Sequence, residues 1–380
     1  MSASPSRARS ARREKAPTNR TGPTRLIAFA VPGLAGLLAE ELESMAGVRV
    51  EDTGRDGRAD VVLFTAEPSA LQQVITSRLA EDIFVEIGRT LRSDGDRAQW
   101  IAGRLWRPER ARRALTARAR MTRPARERTT FRVIARVLQE RSFLRTELRR
   151  HLADTIQRHQ PNWRFSDPAD VEVWVVEYKP GKIVAGLRVS DARMRQHDGR
   201  DVERSGALRP TVAAAIVRLA DKPDGTLLDP CCGSGTILAE ATEVGWQARG
   251  VDIDPDAVRI ARKNAHGVEV SEGDVRHLSF GDGSVRACVS NLPFGKQYAV
   301  QQEMNDWLRV ALAELSRVTQ PGGRVVILAP DVPCNVTPTG LALTKRIPLR
   351  LLGAKTTIWM YDRRSHADGA ASRSKNSTNS

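Results

Sequence analysis

The chain has 380 residues, of which 41% are hydrophobic and 28% charged, and its formal net charge is +15 at pH 7. This length allows two or three domains with cores of their own, and no stretch approaches the roughly 20 apolar residues of a membrane span. We therefore expect a soluble protein larger than a single small module, with affinity for a polyanion such as RNA, DNA or an anionic membrane surface.

The positive charge is concentrated in the N-terminal half. Residues 226–362 hold 14 Lys and Arg against 15 Asp and Glu, so this third of the chain is nearly neutral. The densest basic stretch runs from Arg104 to Arg128 and contains ten arginines and two glutamates. Such asymmetry indicates one part that holds a polyanion and another with a different task. A solvated arginine-rich helix is the alternative interpretation of the basic stretch.

Cysteine usage and the two ends of the sequence bear on location. The four cysteines, with Cys231 and Cys232 adjacent, form neither a disulfide framework nor a paired CxxC metal site, which fits a reducing cytoplasm. Residues 1–24 are rich in Ser, Arg and Ala, and they predict a disordered basic tail, with a mitochondrial transit peptide as the alternative. Residues 364–380 are of low complexity and are also predicted to be disordered.

Two α+β units are predicted in the N-terminal half. The first covers residues 25–94, with a strand, a Pro-Gly turn, an amphipathic helix, two strands and a helix over residues 69–80. The second covers residues 95–190, with the basic stretch, a strand, a helix and two further strands. Residues 191–222 are predicted to be a connector that ends in a helix.

Arginines of the second unit are the candidate contacts for a polyanion. Arg132 and Arg136 lie an even spacing apart on a predicted strand, so both occupy one face, and the next helix is also basic. Together these residues could form a positive surface. The residues singled out for RNA binding are Arg104, Arg107, Arg112, Arg113, Arg118, Arg120, Arg132, Arg145 and Arg149.

Residues 223–363 alternate between strand and helix patterns. This alternation predicts a mostly parallel sheet with helices on both faces, and the final strands predict an antiparallel pair that closes the sheet. Ligands of such sheets bind at the carboxyl ends of the strands, where the strand order reverses. We therefore expect the functional residues directly after these strands.

A glycine loop, DPCCGSGT, follows the first strand of this part, from Asp229 to Thr236. Gly233 and Gly235 let the backbone pass close to a ligand, and Thr236 is predicted to cap the next helix. No GK[ST] follows, which excludes a P-loop, and the third glycine of a dinucleotide fingerprint is absent. The Asp229 carboxylate would repel a pyrophosphate, but it suits a ligand that carries an ammonium group.

Acidic residues follow the next two strands. Asp252 ends the second strand, where a carboxylate can accept hydrogen bonds from both ribose hydroxyls, and Asp274 follows the third, within reach of an adenine amino group. A glycine loop, a ribose acid and an adenine acid in this order describe a nucleoside site without phosphate, which fits S-adenosylmethionine. Further predicted cofactor contacts are Cys231, Ile253, Val275 and Asn291.

The segment SNLPFGKQ, residues 290–297, follows the fourth strand. A plain turn would explain its proline and glycine, but not the asparagine and the aromatic ring beside them. The exocyclic amine of a base is a poor nucleophile because its lone pair is delocalised into the ring. If the Asn291 side-chain oxygen and the Leu292 carbonyl each accept one N–H, that lone pair turns toward a methyl donor. Pro293 would fix the carbonyl, and Phe294 would stack on the base.

Three segments, LLDPCCGSGTILAEA, GVDIDPDAVRIARKNA and SNLPFGKQ, resemble class I methyltransferase motifs, and specifically those of the THUMP-containing RNA guanine-N2 methyltransferases. The resemblance implies a Rossmann-like methyltransferase domain preceded by a ferredoxin-like unit and a THUMP domain that holds the acceptor end of tRNA. It also implies S-adenosylmethionine as cofactor and N2 of a tRNA guanosine as methyl acceptor. Position six of the tRNA is favoured over position ten as the target. We expect a monomer that needs no metal and no membrane.

The chain departs from the family at Cys231, where an aromatic residue is commoner, and in NLPF, where relatives often have NPPY. The second departure still leaves a backbone carbonyl at Leu292 and an aromatic ring at Phe294. It therefore weakens the assignment of the target nucleotide more than the assignment of the reaction. A 23S rRNA guanine-N2 methyltransferase is therefore an alternative, and enzymes acting on adenine N6 of DNA or on protein glutamine share the Asn-x-Pro-aromatic pattern.

Two further alternatives come from different classes. Cys334 follows a proline after the fifth strand of this part, an order that suits cytosine-C5 chemistry through a thiolate. The second alternative is an RNA-binding protein or chaperone whose methyltransferase-like domain is inactive. The acidic residues after the strands and Asn291 argue against that alternative, because a binding protein has no need of them.

Overall fold

The computed structural model describes most of the chain, and all structural statements concern these residues. They are residues 22–93, 95–122, 129–139, 142–191, 193–197, 207–293, 301–330, 336–338, 340–351 and 354–364.

The N-terminal half builds the first β-sheet. Its strands run in the order β2-β3-β1-β4-β8-β7-β5-β6, and β4 pairs with β8 in antiparallel register. The strands of the two predicted N-terminal units therefore belong to one continuous sheet, and the predicted boundary at residue 94 falls just after β4. The strands are β1 (Thr24–Ala30), β2 (Val48–Arg55), β3 (Asp60–Ala66), β4 (Asp82–Leu91), β5 (Thr130–Arg136), β6 (Arg164–Phe165), β7 (Val171–Lys179) and β8 (Lys182–Arg188).

The helices of this half are α1 (Ala35–Glu43), α2 (Leu71–Val74), α3 (Ala98–Leu105), α4 (Pro108–Met121) and α5 (Arg145–His159). The predicted helix over residues 69–80 was too long, since only the four residues of α2 are helical. The reason lies in α1, whose buried Glu41 carboxylate accepts hydrogen bonds from the Ser77 hydroxyl and from the Arg78 and Leu79 amides. These amides are satisfied outside a helix, so the chain turns there into β4.

The C-terminal part builds the second sheet, in the order β11-β10-β9-β12-β13-β15-β14. Its first five strands pair in parallel, while β15 runs antiparallel to both β13 and β14, which confirms the predicted fold class. The strands are β9 (Thr226–Asp229), β10 (Gln247–Asp252), β11 (Glu269–Glu272), β12 (Val285–Asn291), β13 (Thr319–Ala329), β14 (Leu341–Leu351) and β15 (Ala354–Arg363).

Helices connect these strands and precede them. They are α6 (Arg193–Gln196), α7 (Pro210–Arg218), α8 (Thr236–Glu243), α9 (Pro255–Asn264) and α10 (Gln301–Val318). The strand order reverses between β9 and β12, because successive strands are added on one side of β9 up to β11 and on the other side from β12 onward. This reversal creates a crevice at the carboxyl ends of β9 and β12.

The two halves of the chain pack against each other. One cluster of buried side chains includes Leu37 and Leu79 from the first half and Trp246 and Leu349 from the second. The turn after β1 approaches β14 closely, since a Cβ added to Gly33, whose φ is +105°, would lie 2.1 Å from the Pro348 carbonyl oxygen. No helix in the described ranges has the length and apolar character needed to cross a membrane.

Candidate active site

The carboxyl ends of four parallel strands meet at one edge of the second sheet. In the register, Asp229 at the end of β9 lies beside Gly250 of β10, and Asp252 lies beside Glu272 of β11. On the other side of β9, β12 carries Asn291 to the same edge. The structure therefore brings together the ends of the strands on which the sequence placed the functional residues.

Asp229 is fully buried at the point where the strand order reverses. Its Oδ1 accepts hydrogen bonds from the Ser290 hydroxyl at 2.7 Å and from the Cys231 amide at 3.2 Å. Its Oδ2 is buried and has no hydrogen-bond partner among the described residues. Burial raises the pKa of the Asp229 carboxyl to about 7. A buried acceptor without a hydrogen bond is energetically costly, and an ammonium group of a ligand would donate the missing hydrogen bond.

The glycine loop is held by side chains of its neighbours. The Gly233 amide donates to Asp252 Oδ2 at 2.7 Å, and the buried Asn264 side chain donates to the Ser234 carbonyl at 2.9 Å. Gly235, not Thr236, is the N-cap of α8, so the predicted capping role of Thr236 was wrong. Thr236 is the first helical residue, and its hydroxyl lies 3.4 Å from that of Ser234.

Asp252 and Ile253 form the next side of the crevice. Asp252 Oδ1 accepts a hydrogen bond from the Asp254 amide at 3.0 Å, so both carboxylate oxygens hold backbone amides of loops at this edge. Each oxygen keeps a further lone pair for a ligand hydroxyl. Ile253 is 66% exposed, although large apolar side chains are usually buried. An exposed isoleucine beside Asp252 offers an apolar surface against which a flat ligand ring could pack.

Asp274 is bound by Arg276, a residue outside the predicted site. The Arg276 guanidinium donates to Asp274 Oδ2 at 2.6 Å, and the Arg276 amide donates to Oδ1 at 2.9 Å. The hydrogen bonds from Arg276 keep the pKa of Asp274 below its usual value. An adenine amino group would share this carboxylate with Arg276. Val275, also predicted as a cofactor contact, is buried.

Asn291 is the last residue of β12 and is half-buried. None of the described residues forms a hydrogen bond with its side chain. The Leu292 side chain is buried in the core, and its amide donates to the Leu328 carbonyl at 3.3 Å, which fixes the chain just after the asparagine. Pro293 is the last described residue of the motif, and Phe294 lies outside the described residues.

The described cysteines are poor nucleophiles. Cys232 and Cys288 are buried, and desolvation raises the pKa of the Cys288 thiol to about 12. Desolvation also raises the pKa of Cys231 and of Cys232 well above the usual range. Because the thiolate is the reactive form, a raised pKa makes these thiols less reactive at neutral pH. Cys334, on which the cytosine-C5 alternative depends, lies outside the described residues.

At least five of the nine arginines predicted to bind RNA are engaged within the chain, Arg120 and Arg145 among them. Arg104 pairs with Asp96 at 3.1 Å, and Arg132 pairs with Glu172 at 2.5 Å. The Arg118 guanidinium donates to the Arg188 carbonyl at 2.9 Å and fastens α4 to β8. Arg112, Arg113 and Arg120 line a cleft beside α4, Arg149 lines a groove with Phe165, Arg107 precedes α4, and Arg145 begins α5.

Comparison with known proteins finds methyltransferases that are similar to this chain. The family described as UPF0020, RMKL-like methyltransferase domain, matches residues 197–350. The tRNA (guanine(6)-N2)-methyltransferase of Thermus thermophilus is 30% identical over 335 residues, which cover 82% of this chain and 91% of that protein. The tRNA (guanine(6)-N(2))-methyltransferase THUMP3 of Bos taurus is 31% identical over 189 residues, 43% of this chain and only 36% of that longer protein.

Among solved structures, TrmN from Thermus thermophilus has the same fold. It superimposes with a TM-score of 0.71 at 24% identity, over 90% of this chain and 99% of that chain. The unpartnered oxygen of Asp229, the open space beside Gly233 and the exposed Ile253 fit S-adenosylmethionine, the methyl donor of such enzymes. By its similarity along most of its length to the Thermus enzyme, the chain belongs to the tRNA guanine-N2 methyltransferase family.

Proposed function

We propose that this protein transfers a methyl group from S-adenosylmethionine to the exocyclic N2 of the guanosine at position six of tRNA. The main support for the proposal is that Asp229 and Asn291 lie at the same sheet edge, where the strand order reverses. Asp229 is a buried carboxyl, and one of its oxygens has no hydrogen-bond partner among the described residues. The Thermus relative that covers most of the chain is named for guanine six, which favours that position over position ten and over 23S rRNA.

Residues on the β9 and β10 side hold the donor. S-adenosylmethionine supplies an activated methyl group on a sulfonium. The unpartnered Oδ2 of Asp229 receives the ligand ammonium, and the absence of a side chain at Gly233, where an added Cβ would meet no atom within 4 Å, leaves room for the ligand. The Asp252 carboxylate accepts hydrogen bonds from the ribose hydroxyls, and Ile253 packs against the adenine ring. This arrangement fixes the direction from which the methyl group is presented.

Residues at the end of β12 hold the acceptor. The Asn291 side-chain oxygen and the Leu292 carbonyl each accept one N–H of guanine N2, which turns the nitrogen lone pair out of conjugation and toward the methyl group. The same two acceptors stabilise the positive charge that develops on this nitrogen as the carbon–sulfur bond of the donor breaks, and the methylated nitrogen becomes neutral by releasing one proton to solvent. The buried Leu292 side chain anchors the carbonyl, and Phe294 is proposed to stack on the extruded base.

Methylation of unmodified tRNA transcripts tests the proposal. The purified protein is incubated with S-adenosylmethionine and tRNA, and the nucleosides of RNase fragments are identified by mass spectrometry. We expect N2-methylguanosine in the fragment that contains position six, and none when that guanosine is replaced by adenosine. Product only at position ten, or only in 23S rRNA, would overturn the proposed target, and no product in any RNA would overturn the activity.

The Asn291→Ala substitution tests the role of the acceptor site. We expect kcat to fall by about 10²–10³, as for the loss of one transition-state hydrogen-bond acceptor or donor, while the affinity for S-adenosylmethionine stays unchanged. Asn162→Ala, in an exposed turn before β6, is the matched control and should keep full activity. Undiminished methylation by Asn291→Ala would contradict the mechanism.

A further inference from the structure

A second candidate site lies far along the chain from the methyltransferase motifs. A cleft of about 890 Å³ lies between helix α4 and strands β1–β4 of the first sheet. Six of its seventeen lining residues are arginines, against two glutamates. The arginines are Arg25 and Arg49 from the strands, and Arg110, Arg112, Arg113 and Arg120 from α4.

The strand register places the first two arginines on one face of the sheet. Arg25 of β1 and Arg49 of β2 both pair with Thr65 of β3, which lies between them. Residues directly opposite each other in a sheet point to the same face, so the two arginines and the threonine form a row across three strands. The row therefore presents two guanidinium groups to the cleft.

The helix forms the facing wall. Ala114 and Ala117 of α4 are buried against the protein, and both also reach the cleft. Arg112, Thr116 and Arg120 recur at intervals of four residues, so they share one side of the helix. Small residues at the base and long basic residues at the rim give the cleft an open, positively charged mouth.

The cleft keeps an excess of positive charge. Its acidic lining residues, Glu51 and Glu86, are both bound by Arg89, at 2.8 and 2.5 Å, so Arg89 neutralises much of their charge. Five of its arginines form no ion pair with any described residue. They are Arg25, Arg49, Arg110, Arg112 and Arg113. This sets them apart from Arg104 and Arg132, whose charges are matched by carboxylates of the chain.

The kind of polyanion follows from what else lines the cleft. None of the described lining residues is aromatic. Sites for single-stranded nucleic acid combine positive charge with aromatic side chains on which bases stack. A site that has arginines but no aromatic side chain suits contacts with phosphates. We propose that this cleft binds the phosphodiester backbone of a helical segment of the tRNA substrate, an inference that rests on the proposed function and adds Arg25, Arg49 and Arg110 to the RNA-binding residues.

Two double substitutions test the cleft from its two walls. Arg25→Ala/Arg49→Ala removes the strand row, and Arg112→Ala/Arg113→Ala removes part of the helix wall. Because each phosphate contact contributes about one unit to the slope of log affinity against log salt, we expect that slope to fall by roughly two units and the Kd for tRNA to rise about tenfold. The affinity for S-adenosylmethionine should not change in either variant.

The controls separate the site from net charge and from folding. Arg259→Ala/Arg309→Ala removes the same charge from exposed positions of α9 and α10 and should leave the slope for tRNA unchanged. Arg112→Lys/Arg113→Lys keeps the charge and should retain most of the slope. If the cleft variants matched the exposed control in Kd and slope, the inference would be wrong.

Two further outcomes have separate meanings. If the cleft substitutions weakened binding of a single-stranded oligonucleotide as much as binding of tRNA, the assignment to a helical backbone would be overturned. If the wild-type protein bound tRNA through the cleft but produced no methylguanosine, the inference would stand and the proposed function would fail. Measuring binding and methylation in the same preparation distinguishes these two outcomes.

Discussion

Asp229 links the chemistry of the site to pH. Its ordinary carboxyl pKa of 3.8 is raised by burial to about 7 in the folded protein. Between these two pH values the ligand-free folded state keeps a proton that the unfolded chain has released, so the free energy of unfolding falls as pH rises through this window. A ligand ammonium favours the ionised form, and the affinity for S-adenosylmethionine should therefore rise with pH up to about 7 and then level off.

The Ser290 hydroxyl is expected to help determine the pH at which the Asp229 carboxyl ionises. The Ser290 hydroxyl donates to Asp229 Oδ1 at 2.7 Å and lowers the pKa of a carboxyl that burial raises. Ser290→Ala should therefore shift the rise in cofactor affinity to higher pH and weaken binding at pH 7 by about tenfold, the effect of one lost hydrogen bond to a charged group. Calorimetric titration at pH 6, 7 and 8 measures the shift.

A neighbouring residue provides the control for Ser290→Ala. Cys288 is also fully buried on β12, two residues earlier, and its Sγ accepts a hydrogen bond from the Thr319 hydroxyl. Cys288→Ala should therefore cost some stability but leave the pH profile of cofactor binding in place. Identical profiles for Ser290→Ala and the wild type would show that the serine only fills space.

The sequence located the ends of the strands but not the hydrogen bonds across them. The positions of Asp229, Asp252 and Asn291 at the sheet edge could be predicted because each ends a recognisable strand. The contact of Ser290 could not, because it depends on the pairing of β12 with β9. The contact of Arg276 could not, because an arginine two residues after an aspartate does not by itself indicate which group it binds. The internal partners of Arg104 and Arg132 likewise follow from tertiary packing, which a count of arginines does not contain.

At the scale of secondary structure, strong periodicity was the reliable signal. The alternating strands and helices of residues 223–363 predicted the parallel sheet with its antiparallel final pair, which the structure confirms. Strand β4 was missed, although it joins the two N-terminal units into one sheet. Its partner β8 is far away in sequence, so local periodicity does not reveal the pairing. Helix α2 ends early because Glu41 accepts hydrogen bonds from the amides of Arg78 and Leu79.

The two glycines of the loop before α8 are predicted to fail in different ways. At Gly235, where φ is +82°, an added Cβ would lie 3.1 Å from Ala261 Cα in α9. Gly235→Ala should therefore destabilise the protein by about 1–3 kcal/mol, through backbone strain and the clash between two helices. At Gly233, where φ is +54°, an added Cβ would meet no atom within 4 Å.

Gly233→Ala is therefore the matched control for the effect on folding. It should cost less stability than Gly235→Ala, yet weaken S-adenosylmethionine binding, because the new methyl group enters space left for the ligand. Urea unfolding and cofactor titration of both variants check the two expectations together. Equal loss of stability, with cofactor affinity unchanged in Gly233→Ala, would contradict the proposed position of the ligand.

Across the whole molecule, Glu240 joins the N-terminal half to the cofactor loop. This nearly buried glutamate of α8 accepts two hydrogen bonds from Arg78, at 2.8 and 2.9 Å, and lies 2.7 Å from His197 Nδ1. Arg78 belongs to the segment that Glu41 holds before β4, and α8 begins directly after the glycine loop. The proposed RNA-binding half is thus fastened to the helix that positions the donor site.

Removing Arg78 should therefore affect the use of tRNA more than the binding of cofactor. Arg78→Ala leaves the Glu240 carboxylate with His197 as its remaining partner, and because Arg78 is 26% exposed we expect a cost of about 1–3 kcal/mol, below the usual cost for a fully buried pair. We expect kcat/KM for tRNA to fall by at least about tenfold, since misplacing the RNA by about 1 Å disturbs the alignment of donor and acceptor.

Steady-state kinetics with tRNA and direct titration with S-adenosylmethionine separate the two effects of Arg78→Ala. Arg259→Ala is the control, since its pair with Asp256 is exposed and such pairs contribute about 0–1 kcal/mol. An equal loss of cofactor affinity and tRNA turnover in Arg78→Ala would mean that the pair supports only the fold of the donor site. Full activity with tRNA would mean that other contacts between the halves, such as the packing of Gly33 against Pro348, suffice to align them.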